Sequence, residues 1–194
     1  MKIKILSLIT LLVVLGSAPK TFASNNATVL KETIAINKIE VRGNVELYIS
    51  DATTDQVKVY NKYYSESALV QSKNGVLRIA SYTNEKLIVW VSSTDLRSVS
   101  VFDNSTVQSF GNLSKIEFNV DLHDHAEANL NLDAFVANLT VKDNAKAVMS
   151  GSAQELTLNR DIQSAVKSSA FAVNHLYEPR PSLAATISSR VVGI

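Results

Sequence analysis

The densest group of potential metal ligands in the chain is His123-Asp124-His125. Residues i and i+2 of a β-strand point to the same side, so the two imidazoles could share a metal ion with the carboxylate nearby. A turn expected at Asp124-His125 would break that geometry, and no third or fourth ligand is evident. The sequence therefore favours a solvated corner here, and we expect no metal ion and no other cofactor.

Asp103, Asp124 and Asp143 occupy equivalent positions in three copies of a short repeat. If the copies stack as neighbouring strands, the carboxylates lie about 4.8 Å apart and repel one another. They must then turn into water, cap backbone N–H groups at the corners, or share a cation such as calcium. We favour capping, because the glycine-rich nonapeptide of calcium-binding β-rolls is absent.

A carbohydrate-active enzyme is an alternative that the charged residues leave open. Polysaccharide lyases and hydrolases need a base or a carboxylate pair on one surface, commonly with Arg or Lys to neutralise a sugar acid. The residues that could lie together in this way are Lys142, Asp143, Lys146 and Arg160. Scattered charges on a solvated face produce the same pattern by chance, and no Ser-His-Asp order, phosphate loop or nucleophile elbow is recognisable. We therefore assign no catalytic residue.

Aromatic side chains are the remaining candidates for ligand contact. Tyr60, Tyr63 and Tyr64 surround an expected loop or short helix and could form a platform on which a sugar stacks, although strand-edge tyrosines more often shield the core. Trp90 alternates out of phase with the valines on either side, so it is either packed or exposed as a contact residue. The candidate binding residues are thus Tyr63, Tyr64 and Trp90, together with the two histidines and three aspartates above.

A five-fold repeat must position these side chains. Each copy has alternating apolar residues followed by a two-residue turn, in the segments Val41-Arg42-Gly43-Asn44, Val101-Phe102-Asp103-Asn104, Leu122-His123-Asp124-His125, Val141-Lys142-Asp143-Asn144 and Leu158-Asn159-Arg160-Asp161. From the second copy onward the first apolar residues are 21, 19 and 17 residues apart, the length of one coil of a stacked β-structure. Each corner needs a positive or strained φ angle, which Gly, Asn and Asp adopt at least cost. The sequence therefore predicts an all-β solenoid.

The first half of the chain also alternates apolar and polar residues, and it predicts longer strands. Val45, Leu47 and Ile49 would face one side of a strand within Val41–Ile49. Asn74-Gly75, between two apolar runs, is the strongest hairpin signal in the chain. We therefore expect some antiparallel pairing in this half.

Residues 1–23 have the form of a secretory signal peptide. Lys2 and Lys4 precede an apolar run, Ile5–Leu15, and Thr21-Phe22-Ala23 offers a cleavage site. The run is about half of the roughly 20 apolar residues that span a bilayer. We expect an exported protein, in the periplasm, on the cell surface or outside the cell, with no transmembrane segment in the mature chain.

Removal of the leader takes three of the 19 basic residues, which leaves 16 against 18 acidic residues and changes the formal net charge from +1 to −2. This balance argues against nucleic acid as a partner, because such binding needs a basic surplus gathered on one face. The chain contains no cysteine, so neither a disulfide nor a lipoprotein anchor is expected.

The repeat fades near the C-terminal end of the sequence. Pro179 and Pro181 remove two ladder donors and would stop further stacking. We expect a flexible segment at residues 24–33, a head domain at residues 34–176, and a tail at residues 177–194. The tail is too apolar to remain in water and would cover an open end of the stack.

Four segments in this order resemble the head GIN domain family, also named for auto-transporter adhesin heads. The segments are Lys38–Leu47, Asn74–Ile79, Lys86–Val91 and Leu96–Val101, and the resemblance extends over roughly Ile34–Val173. It implies a right-handed parallel β-helix-like fold in a secreted or envelope protein of bacteria, and the family name suggests adhesion. The corners depart from the Ser-Gly-Ser-Gly pattern of the family, since here they are Asp-Asn, Asp-His and Arg-Asp.

The leading hypothesis is an exported, non-catalytic β-solenoid that binds an envelope protein or a glycan. Its basis is a rigid repetitive scaffold without an assembled active site. The alternatives are the carbohydrate-active enzyme above and a structural homo-oligomer in which the C-terminal tail docks onto a neighbouring subunit.

Overall fold

The computed structural model describes residues 28–30, 35–60 and 68–179. Within these ranges the protein is all-β, with thirteen strands and no helix. The strands are β1 (Thr28–Leu30), β2 (Lys38–Gly43), β3 (Val45–Asp51), β4 (Gln56–Val59), β5 (Ala68–Lys73), β6 (Val76–Ser81), β7 (Leu87–Ser93), β8 (Ser98–Val101), β9 (Thr106–Ser109), β10 (Leu113–Leu122), β11 (Glu127–Val141), β12 (Lys146–Arg160) and β13 (Ala165–Tyr177). The predicted signal peptide, residues 1–23, and residues 180–194 of the predicted C-terminal tail lie outside the described residues.

The strands form one curled, half-barrel sheet with mixed parallel and antiparallel pairing. In the C-terminal half, β8, β10, β11, β12 and β13 follow one another as parallel neighbours, and the sequence interval between paired residues is nearly constant. In the N-terminal half, β2 lies between β6 and β8, and β3 lies between β7 and β9. The consecutive strands β2 and β3 therefore both lie inside the sheet, each between two parallel neighbours.

Among the described strands, antiparallel pairing occurs in the N-terminal half, as predicted. β5 pairs with β6, β4 pairs with β7, and β1 pairs with β4. Asn74 and Gly75 join β5 to β6 with φ angles of 51° and 78°. Two consecutive positive φ angles define a type I′ turn, whose twist matches that of the flanking strands.

The core consists of apolar side chains that alternate with outward polar ones. In β3, Val45, Leu47 and Ile49 are fully buried, and in β7 the same is true of Leu87 and Val89. Paired strands place these side chains on top of one another, so each layer covers the last. Complete burial of one such side chain contributes on the order of 1.5–3 kcal/mol.

Four of the five predicted corners have the expected left-handed backbone conformation, whereas Arg160-Asp161 does not. Gly43, Asp103, Asp124 and Asp143 have φ angles of 86°, 60°, 60° and 55°. The corner at Gly43 divides the predicted strand Val41–Ile49 into β2 and β3, which is a correction to the sequence-based boundary. Asp is tolerated in this left-handed region because its short polar side chain can bond locally.

The predicted register of the last copy of the repeat is wrong. Leu158 pairs with Leu139, and Arg160, not Leu158, lies beside Val141. Arg160 therefore follows Val141 at the same sequence interval that separates Val141 from Leu122. The interval between paired residues does not shorten again. The sequence misled because Leu158 and Arg160-Asp161 imitate the pattern two positions too early.

Candidate functional site

Tyr48 and Trp90 lie side by side on the outer face of the sheet. They are register partners in the parallel pair β3–β7, and the residues that flank them along each strand are buried. Strand alternation therefore turns both rings outward. Their centroids are 4.7 Å apart with 21° between the ring planes, which is a stacked arrangement.

Two further rings extend this stack. Phe110 directly follows β9 and is 62% exposed, with its centroid 5.1 Å from that of Trp90. Tyr60 directly follows β4 and meets the indole edge to face at 6.4 Å. Tyr48, Tyr60, Trp90 and Phe110 are called the aromatic platform below. Because four rings share one exposed face, they present an apolar surface with several polar edges.

Polar side chains surround the aromatic platform. The Tyr48 hydroxyl donates a hydrogen bond to Glu46 Oε1 at 2.6 Å, and Lys86 Nζ lies 3.8 Å from Glu46 Oε2. This hydrogen bond, together with burial and the charge of Glu46, raises the pKa of Tyr48 above its usual value. Ser50 and Ser92 share a hydrogen bond at 3.1 Å on the same face. The surface thus combines stacking area with hydrogen-bonding groups at its rim.

The three aspartates of the predicted column do stack, and they cap backbone groups. The carboxylate of Asp103 accepts the N–H of Gly43 at 2.8 Å, that of Asp124 accepts the N–H of Asp103 at 3.1 Å, and that of Asp143 accepts the N–H of Asp124 at 3.0 Å. Asp161 continues the ladder by accepting the N–H of Asp143. The capping interpretation agrees with these contacts, and no group of three possible metal ligands occurs in the described part of the chain.

The two histidines of the possible metal site have separate surroundings. The ring of His123 stacks on Phe102, with centroids 4.9 Å apart and 9° between the planes. Arg42 lies on the Phe102 ring, 3.8 Å from its centroid. His125 is exposed at the corner, where its N–H donates to the Asp103 carbonyl. The corner therefore holds a stack of Arg, Phe and His side chains.

The charged residues considered for catalysis are engaged in different places. Lys146 Nζ lies 2.8 Å from Glu127, and Arg160 Nε lies 2.6 Å from Glu178. The Asp143 carboxylate is part of the backbone ladder at the corner. The described contacts do not bring these side chains together around a common point.

A further ion pair lies where β3 ends and β10 begins. Lys115 is 8% exposed and forms an ion pair with Asp51, whose other carboxylate oxygen accepts the N–H of Ser114 at 2.7 Å. Open clefts of about 380 and 390 Å³ lie on either side of Lys115. The ion pair fixes β10 against β3 between these clefts.

Of the predicted aromatic residues, Tyr60 and Trp90 can be placed, and both belong to the aromatic platform. Tyr63 and Tyr64 lie outside the described residues. Tyr48 and Phe110 were missed, because the signal that identifies them is the parallel register of β3 with β7 and β9, which the sequence does not contain. The one clue in the sequence was that strand alternation places Tyr48 on the polar, outward-facing side of β3.

A curled sheet of stacked parallel strands, closed by antiparallel strands at one end, defines the class of all-β protein to which this chain belongs. The family model described as "Putative auto-transporter adhesin, head GIN domain" matches residues 35–177. The chain belongs to this family, which confirms the resemblance noted in the sequence. No curated protein matches the chain.

Solved structures share this fold at low sequence identity. A "putative adhesin" from Bacteroides fragilis NCTC 9343 is 14% identical, with a TM-score of 0.67 over 80% of this chain and 76% of that one. A "putative adhesin" from Parabacteroides merdae ATCC 43184 is 15% identical, with a TM-score of 0.63 over 80% and 78%. A "putative lipid binding protein" from Parabacteroides distasonis ATCC 8503 is 8% identical, with a TM-score of 0.57 over 80% and 78%. At these identities the likeness concerns the fold alone.

No helix long and apolar enough to cross a membrane occurs among residues 28–30, 35–60 and 68–179.

Proposed function

We propose that this protein is an exported, non-catalytic binding module of the adhesion type, and that it binds glycan through the aromatic platform. The observation that carries the proposal is the stack of Tyr48 on Trp90, extended by the exposed ring of Phe110. The C–H groups on one face of a sugar ring pack on aromatic rings, and the sugar hydroxyls need hydrogen-bonding partners beside them. Glu46, Lys86 and the serine pair supply such partners.

The scaffold that presents this surface is a right-handed β-solenoid in our proposal. The parallel register of β10–β13, in which each strand follows the last at a nearly constant sequence interval, supports it, as does the family to which the chain belongs. A solenoid gives a rigid outer face, so a ligand binds without ordering loops first. The adhesin names within the family and the leader-like sequence at residues 1–23 support export to the envelope or beyond.

A glycan is preferred over an envelope protein because of the composition of the platform. Its rings lie on strands and at strand ends, and its rim is hydrophilic, with acidic, basic and hydroxyl groups on and beside the neighbouring strands β3 and β7. A carbohydrate-active enzyme would need converging acid and base groups, and Lys146 and Arg160 are instead held in separate ion pairs.

The test uses the only tryptophan of the chain, Trp90, as its reporter. Titration with oligosaccharides from bacterial envelopes and host mucins should shift its fluorescence, and calorimetry should then give the affinity. Trp90→Ala should weaken binding at least tenfold, while Trp90→Phe retains part of it. Phe135→Ala is the matched control, because Phe135 is a 58% exposed aromatic on β11, outside the platform, and its loss should leave the affinity unchanged.

Two outcomes would contradict the proposal. Glycan binding that survives Trp90→Ala would place the ligand elsewhere on the molecule. Failure on a broad glycan array, together with capture of an envelope protein that depends on Trp90, would replace the glycan by a protein ligand.

A further inference from the structure

The two ends of the sheet differ in how they are closed. At the N-terminal end, β5 covers the edge of β6, and β4 with β1 covers the edge of β7. Val57 and Val59 of β4 are completely buried there. Short antiparallel strands of this kind protect a stack of parallel strands from pairing with other chains.

The C-terminal end has no such cover among the described residues. β13 pairs with β12 on one side, and its other edge has no strand partner in the described part of the chain. Leu176 and Tyr177 at its end are 58% and 67% exposed. A cavity of about 370 Å³ opens at this end, with apolar lining residues such as Met149, Leu156 and Phe171, and with Arg160 and Glu178 at its polar side. An open edge beside a cavity with a large apolar part is a surface that needs an occupant.

We propose that residues 180–194 of the same chain lie across this end and fill the cavity. The chain leaves β13 at Tyr177, and Glu178 lines the cavity, so the segment that follows is tethered at its target. Tethering gives an effective concentration in the millimolar range, which a second molecule does not reach at ordinary protein concentrations. The inference is independent of the proposed glycan site.

The sequence of this segment fits the role. Leu183, Ala185 and Ile187 alternate with smaller or polar residues, so one side of an extended segment would be apolar. Pro179 and Pro181 carry no N–H, which prevents β13 from simply continuing and directs the chain into a new course. The same sequence interval that separates paired residues in the other layers would place residues 185–187 beside Val166.

The first experiment measures amide hydrogen exchange of β13 in the full chain. We expect slow exchange in the unmodified protein, and at least tenfold faster exchange in β13 when Leu183→Asp and Ile187→Asp are combined. Ser188→Asp combined with Ser189→Asp is the matched control, because it adds the same charge to the same segment at polar positions and should leave β13 protected. Rapid exchange of β13 in the unmodified protein, or equal effects of the two double variants, would overturn the proposal.

The second experiment distinguishes this chain from a second copy. A photoreactive benzophenone amino acid is placed at position 187 of the full chain, and the cross-linked peptides are mapped by mass spectrometry. Cross-links within one molecule to β12 or β13 are expected. Cross-links between two molecules, with a dimer in light scattering, would show that a second copy occupies this end and would overturn the proposal.

Discussion

Asp124 accepts a hydrogen bond from the backbone N–H of Asp103 at 3.1 Å, although the two residues belong to different layers of the sheet, and both have a φ angle of 60°. Each corner therefore depends on the next one for its hydrogen bond. The N–H of a residue with a positive φ angle points away from its own strand ladder. The carboxylate of the aspartate at the next corner accepts a hydrogen bond from it. The aspartate column is in this way a structural ladder between layers.

Two replacements of Asp124 should separate the contributions of backbone conformation and of side-chain charge to stability. Asp124→Ala removes the acceptor for the Asp103 N–H. It also places alanine, which has no polar side chain to form a local hydrogen bond, at a positive φ angle, and the two effects together cost about 2–3 kcal/mol. Asp124→Asn keeps an acceptor and tolerates the left-handed region, so it should cost less than about 1 kcal/mol. Urea unfolding of the two variants measures both values. Equal losses in the two variants, or a rise in Tm when calcium is added to the unmodified protein, would favour a role for the charge itself.

Gly43 should be much less replaceable than Gly111. Both have φ angles near 85°, but a β-carbon at Gly43 would lie 2.0 Å from the Ser81 carbonyl oxygen, whereas none of the described atoms lies within 4 Å at Gly111. Gly111→Ala therefore measures the cost of conformation alone, about 1 kcal/mol. Gly43→Ala should lose at least about 2 kcal/mol more, because β2 and β6 must separate. Thermal and urea unfolding provide the comparison, and similar losses for both variants would contradict the close contact.

The Asp55 carboxylate should make stability depend on pH. Burial raises the pKa of Asp55, but hydrogen bonds from the backbone N–H groups of Ile36 and Thr94, at 2.5 and 2.7 Å, and from the Thr94 side chain outweigh it and hold the pKa below its usual value. A lowered pKa stabilises the fold above the unfolded-state value near 3.8, and the contribution is lost as the pH falls through the folded-state value. At pH 7, Asp55→Asn should cost about 1–3 kcal/mol.

Urea unfolding of the Asp55→Asn variant and of the unmodified protein from pH 7 to pH 2 tests this expectation. The difference between the two proteins should stay constant down to about pH 4 and then shrink. A difference that persists at pH 2 would mean that packing, and not the ionised carboxylate, is lost in the variant.

The ion pair of Lys115 with Asp51 should contribute more than that of Lys146 with Glu127. Lys115 is 8% exposed and lies between two clefts, while Lys146 is 62% exposed. Lys115→Ala leaves the partly exposed Asp51 carboxylate without its cation and removes a buried lysine stem, so it should cost about 1–2 kcal/mol. Lys146→Ala removes an exposed pair and should cost less than about 1 kcal/mol. Denaturant unfolding compares the two, and an equal loss would indicate that solvent screens the Lys115 pair as well.

The parts of the fold that the sequence predicts are those with local causes. The hairpin at Asn74-Gly75 follows from the positive φ angles of its turn, and the corners at Asp103, Asp124 and Asp143 follow from the small set of residues that adopt the left-handed region. Alternation along β3 correctly identified Val45, Leu47 and Ile49 as the buried face of that strand.

The parts that the sequence does not predict depend on pairing between distant segments. Nothing near Lys38 indicates that β2 will lie between β6 and β8. The same is true of the candidate site. Trp90 could be singled out because it alternates with the valines on either side, but its contact with Tyr48 arises from the register of β3 with β7. The register of Arg160 beside Val141 was missed because a local motif competed with the spacing of the layers.

The position of β2–β3 within the sheet imposes an order on biosynthesis. β2 and β3 are synthesised early, yet the strands that pair with them are synthesised later. β6 and β7 come first, and β8 and β9 follow. A nascent chain cannot complete the N-terminal half of the sheet until residue 109 has emerged from the ribosome. Until then, β2 and β3 have edges without a strand partner. The strands from β10 to β13, in contrast, each join a layer that already exists. Shortening from the C-terminal side should therefore remove layers one at a time, while loss of β2–β3 should abolish folding of the whole N-terminal half.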